Sequence, residues 1–177
     1  MKALEKALLA AHHTPPEVLH DLHQHPDKEV VRHLAWHPNV GVKTRKALRD
    51  HTDPVVRLGA RGEAYKLYTP VGEKLAQVYR NGHHAMHSAH RSLNSTPDDR
   101  FRAEDELSHR IAGVLDHAAS HMADRNYPQH AIKHVMEVAH EHALHLTQDL
   151  DYQGRGRHLD SAFNMAHHHS EYYDAWK

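Results

Sequence analysis

Asp27-Lys28-Glu29-Val30-Val31-Arg32 is echoed further along the chain by Asp53-Pro54-Val55-Val56-Arg57. Each copy follows a second shared phrase: Ala11-His12-His13-Thr14-Pro15-Pro16-Glu17-Val18-Leu19 before the first, Ala35-Trp36-His37-Pro38-Asn39-Val40 before the second. Ala11 and Ala35 stand 24 residues apart, and Arg32 and Arg57 stand 25 apart. That period is the signature of a stacked helical repeat, whose single unit is too small to bury its own apolar face.

The surrounding punctuation is helical. Pro15, Pro54, Pro70, Pro97 and Pro128 follow the cap candidates Thr14, Asp53, Thr69, Thr96 and Asn126 or Tyr127. Proline suits the first helical position because its missing N–H would be unpaired there anyway. Thr14-Pro15-Pro16-Glu17 has the spacing of a capping box. Short helices are expected at about 2–12, 15–23, 28–37, 42–50 and 54–66, and long ones at about 70–94, 97–125, 128–150 and 157–175. The expected fold is all-α, with a short helical-repeat solenoid (1–68) packed on a bundle of about four long helices (69–177).

The long segments carry apolar stripes at helical spacing. The first is Val71, Leu75, Val78, Tyr79, Ala85, Met86, Ala89 and Leu93; the second is Leu107, Ile111, Val114, Leu115, Ala118 and Met122. Ala131, Ile132, Val135, Ala139, Leu146 and Leu150 form the third, and Leu159, Ala162, Phe163, Ala166 and Tyr173 the fourth. A repeat array this short needs its open end covered, and the bundle is expected to supply that cover.

The N-terminal part resembles the variant leucine-rich repeat family, kin in style to HEAT-like helical repeats. The residues that carry the resemblance are Thr14–Leu19, His25-Pro26-Asp27, Val30-Val31-Arg32, His37-Pro38-Asn39 and Asp53–Arg57, over about residues 8–62. The resemblance implies a right-handed stack used as a recognition surface and implies no reaction. Some members of the family hold an iron–sulfur centre on cysteines. This chain has no Cys, so that property does not carry over.

The lack of Cys also excludes disulfides, thiolate zinc sites and cysteine nucleophiles. No apolar run reaches the length of a membrane span and the first residues have no signal-peptide pattern, so a cytoplasmic protein is expected. There is no Ser/His/Asp set, phosphate-cradling Gly loop or dinucleotide fingerprint, and the chain is not expected to be an enzyme.

Histidine is abundant, with 24 in 177 residues. Neutral imidazole binds Zn and other divalent transition metals, and ligands three or four residues apart share a helix face. The strongest spacing joins His83, His87 and His90 to His117 and His121, at the edges of two apolar arcs. Two helices giving two ligands each would make a closed zinc site. His130, His134, Glu137, Glu141 and His145 fall opposite the third stripe and read as a solvated face. His142 falls within that stripe and reads as a core histidine. Glu106-x-x-His109 and Glu137-x-x-His140 have di-iron spacing, but the two lone inward glutamates of such sites are missing.

Charge is uneven. The chain's net charge is −1, yet residues 32–66 hold eight basic side chains against three acidic ones. Lys43, Arg45, Lys46, Arg49, Arg57 and Arg61 form a candidate nucleic-acid face. The leading expectation is a non-enzymatic adaptor that binds another protein through the repeat surface. Nucleic-acid binding through residues 32–66 and metal binding by bundle histidines are the alternatives.

Overall fold

The computed structural model describes residues 3–11, 13–91, 96–150 and 155–170. Within them every regular element is an α-helix: α1 (Ala3–Ala10), α2 (Pro16–His20), α3 (Lys28–Ala35), α4 (Val42–Leu48), α5 (Pro54–Arg61), α6 (Tyr65–Arg91), α7 (Pro97–Ala123), α8 (Gln129–Leu146) and α9 (Arg155–His169). The all-α expectation holds, but the switch from short to long helices comes earlier than expected, with the first long helix starting at Tyr65, inside the stretch 54–66 expected to be one short helix. Among the described residues no helix is long and apolar enough to cross a membrane. Leu93 and Tyr173 lie outside the described residues, as do the side chains of His87, Ala89 and His90.

The repeated turns have a common device. The backbone N–H of Asp27 donates to His25 Nδ1 at 3.1 Å, that of Asn39 to His37 Nδ1 at 3.1 Å, and that of Asp53 to His51 Nδ1 at 3.0 Å. In two of the three turns the chain of acceptors continues. Asp27 caps α3 by accepting from the N–H of Glu29, and Asp53 caps α5 by accepting from Val55, both at 2.9 Å. An imidazole that accepts at Nδ1 carries its proton on Nε2 when neutral. Nε2 of His25 accordingly meets a Glu5 carboxylate oxygen at 3.0 Å, and Nε2 of the buried His37 donates to the Ala11 carbonyl at 3.2 Å.

Helix boundaries differ from the sequence expectation most clearly at two prolines. Thr14 does not cap α2; Pro15 is the N-cap, with no side-chain cap bond, and the Thr14 hydroxyl turns back to the carbonyls of Leu8 and Ala11. A residue before proline is pushed to extended backbone, so Pro16 forces the cap onto Pro15. Pro70 lies inside α6 rather than at its start. Gly62, at φ 68°, closes α5 with its N–H on the Gly59 carbonyl and the Glu63 N–H on the Leu58 carbonyl. That left-handed closure lets the next helix begin at Tyr65, ahead of the proline. The Thr96 cap does form, with Asp99 in the reciprocal role.

Contacts divide the chain into two units, Met1–Lys66 with Met122–Ile132, and Leu67–His121 with Lys133–Lys177. In the first unit α3 packs on α1 and on α5, while α4 packs on α2 and on α5. Leu9, Leu19, Val30, Val31, Leu34, Leu48 and Val56 make its core, with Leu22 and Trp36 against it. The Trp36 indole N–H donates to the Val55 carbonyl at 3.0 Å, and its ring meets Tyr127 edge-on. Arg32 of α3 pairs with Asp53 at 2.7 Å and so grips the residue that caps α5.

In the second unit α6 lies close against α8 at Gly72, where a Cβ would stand 2.9 Å from the Ala139 carbonyl and 2.8 Å from the His142 ring. Gly82 on α6 faces Leu107 of α7. Leu75, Tyr79, Ile111, Leu115, Val135, Met136 and Leu159 are all fully buried. Arg80 reaches the Leu146 carbonyl at 2.5 Å, closing the end of α8. Ser170, just past α9, hydrogen-bonds the Asp116 carboxylate on α7.

Candidate functional site

The first unit has an open cleft of about 470 Å³ lined by Lys28, Arg32, Thr52, Asp53, Pro54, Val55, Arg125 and Tyr127. Lys28 and Arg32 are four residues apart and share one face of α3. Asp53 to Val55 form the N-cap and first turn of α5, whose amide dipoles add positive potential there, and Thr52 lies just ahead of the cap. Arg125 and Tyr127 come from the turn after α7, where Asn126 takes a left-handed φ of 58° and the Tyr127 N–H caps the Met122 carbonyl at 3.1 Å. The cleft thus gathers three cations and one carboxylate, and that carboxylate, Asp53, is held by Arg32. Burial pushes the Tyr127 phenol above its ordinary value, so it remains a protonated donor at neutral pH.

The candidate nucleic-acid face fares unevenly. Lys43, Lys46 and Arg49 are exposed around α4. Arg45 instead donates to the carbonyls of Val40 and Gly59, at 3.3 and 3.2 Å. Arg57 donates to the His51 and Thr52 carbonyls at 2.8 Å, and Arg61 to the Arg49 carbonyl and the Asp50 carboxylate at 2.9 Å. Three of the six cations therefore tie down turns and helix ends.

Of the candidate metal ligands, His83 is half-buried on α6, and His117 and His121 are exposed on α7. Those of His87 and His90 fall outside the described side chains. Among the described residues the three do not gather into a metal-ligating set; the set that gathers is Asp105, His109 and His169.

The core histidine of α8 is His140 rather than His142. His140 is 7% exposed, whereas His142 is half-buried with its ring edge-on to Tyr68. The His142 ring lies over Gly72 of α6, where a Cβ would stand 2.8 Å from it. The His140 ring abuts Phe163 at a centroid distance of 3.7 Å, and Nδ1 is 3.5 Å from the Tyr79 hydroxyl. Burial, aided by the neighbouring His167, lowers its pKa to about 4. Asp160, 3.6 Å from Nε2, favours the charged ring but stands on the solvent side, and desolvation wins. Of the face expected to be solvated, His134, Glu137, Glu141 and His145 are exposed, but His130 is half-buried with its ring 5.5 Å from that of His33.

Comparison with known proteins finds no matching family model, curated protein or solved structure.

Proposed function

We propose that this chain is a non-enzymatic adaptor, holding an acidic segment of a partner protein on the helical-repeat surface of its first unit. The observation that carries the reading is the cleft, where Lys28, Arg32 and Arg125 surround a single carboxylate already engaged by Arg32. An acidic peptide would meet two exposed cations at the rim, the start of α5 and the Tyr127 hydroxyl. The alternation of contacts, α1 and α5 on α3, α2 and α5 on α4, supports a two-row repeat stack of the variant leucine-rich or HEAT-like kind. Nucleic acid is the weaker reading, since Arg45, Arg57 and Arg61 serve main-chain carbonyls and leave Lys43, Lys46 and Arg49 as the exposed group.

The test is fluorescence anisotropy with a labelled Glu/Asp-rich peptide, run beside single-stranded and duplex oligonucleotides of matched charge. Peptide binding should be salt-sensitive and weaken at least about ten-fold in the Lys28→Glu/Arg125→Glu double variant, whose sites are exposed enough to leave folding intact. Failure to bind the peptide, or equal binding by the double variant, refutes the reading. Tighter oligonucleotide binding that is lost on replacing Lys43, Lys46 and Arg49 by Ala replaces it with nucleic-acid recognition.

A further inference from the structure

Two imidazoles and a carboxylate from different helices meet on the second unit. Asp105 and His109 are one turn apart on α7, and His169 closes α9. One ligand atom from each lies within 4.8 Å of the other two. His169 Nε2 is 3.2 Å from Asp105 Oδ1, and His109 Nδ1 is 3.5 Å from Asp105 Oδ2. The two imidazole rings stack at 3.7 Å between centroids. Two ligands bonded to one zinc ion at about 2.0–2.2 Å stand about 3.0–3.5 Å apart, so the His169 to Asp105 contact can admit a shared ion with little movement. His109 Nδ1 also lies 2.9 Å from the Asp105 backbone carbonyl. To ligate beside the carboxylate, Nδ1 would exchange that carbonyl for the ion, which leaves Nε2 to carry the proton. The Ser170 hydrogen bond to Asp116, with Leu159, Ala162 and Ala166 buried, holds α9 against α7 beside the cluster.

We infer that Asp105, His109 and His169 bind a borderline divalent transition-metal cation of the Zn2+ class, with a remaining position open to water. The ligand set is two nitrogens and one oxygen, which suits zinc over calcium or magnesium. The ion clips the end of α9 to α7. This site is independent of the cleft on the first unit, so either reading can fail without the other.

The experiment uses the untagged full chain with Zn2+ or Co2+ alone as the probe. Titration calorimetry on the wild type and on His109→Ala, His169→Ala and Asp105→Asn measures stoichiometry and affinity, and a His117→Ala/His121→Ala double variant is the control. All these side chains are exposed or half-exposed, and circular dichroism verifies that each variant is folded. The wild type and the control should bind one equivalent that each site variant loses or binds at least about ten-fold more weakly. Zn2+ should also slow amide exchange across residues 159–169 in the wild type and not in His169→Ala. Absence of binding, equal binding by the three site variants, or unchanged exchange in α9 would overturn the inference.

Discussion

Taking the protein from about pH 7.5 to about pH 5.5 should remove stability through His140, by an amount that can be isolated. The ring titrates near 4 in the folded chain because it is buried between Tyr79 and Phe163, against about 6.5 when unfolded. Its folded pKa is depressed, so the folded state binds fewer protons than the unfolded state. Its contribution is therefore complete above about 6.5 and is lost as pH falls from there toward 4. Across that full window the loss is roughly 3 kcal/mol, and between pH 7.5 and 5.5 roughly 1 kcal/mol. The chain holds 24 histidines, so the wild-type slope alone is not diagnostic. The comparison is with His140→Gln and His140→Leu, in urea unfolding followed by circular dichroism at several pH values. Both variants will be less stable at pH 7.5, through lost packing on Phe163, but their pH slopes should be flatter by roughly that 1 kcal/mol. Slopes that run parallel to the wild type would refute the argument, since the buried ring would then be as easily protonated in the fold as outside it.

His51→Ala should cost about 1 kcal/mol by leaving the Asp53 N–H without its Nδ1 acceptor, while His51→Asn, whose side chain can accept from the same N–H two residues on, should recover most of it in thermal denaturation. Gly72→Ala should destabilise by about 1–3 kcal/mol in the same assay, although alanine is the better helix former, because the new Cβ meets the Ala139 carbonyl; a stabilised variant would show that α6 can move away from α8. Residues 1–68 expressed alone should give no sharp thermal transition, because they lack Met122–Ile132 and with it the Tyr127 ring that packs on Trp36. A cooperative melt of that fragment would contradict the division of contacts.

The helices were legible because their signals are local. Asp53-Pro54 and Thr96-Pro97 announce a cap and a first turn within a few residues, and both form. Thr69-Pro70 carries the same local signal and is misleading, since what decides the start of α6 is the left-handed closure at Gly62, several residues upstream. The site was less legible. A sequence shows the charge of Arg45, Arg57 and Arg61, but not that their donors reach carbonyls at helix ends and turns. Helical phase put His142 within the apolar stripe and gave no place to His140, which is buried against Phe163 of α9. Asp105 and His109 were half readable as a pair one turn apart. Their third member, His169, comes from a helix about sixty residues further along, and no local pattern points to it.

The histidine turns have a consequence for how this chain meets metals in solution. Chelation needs a nitrogen lone pair facing outward. At His25, His37 and His51 the Nδ1 lone pair is taken by the backbone. At His25 and His37 the remaining nitrogen holds the proton and gives it to Glu5 or to the Ala11 carbonyl. Those two rings offer nothing to an ion unless their turns open. A count of imidazoles therefore overstates the chelating power of the folded first unit, and denaturation should release it: the unfolded chain will hold an immobilised metal surface more strongly than the folded one.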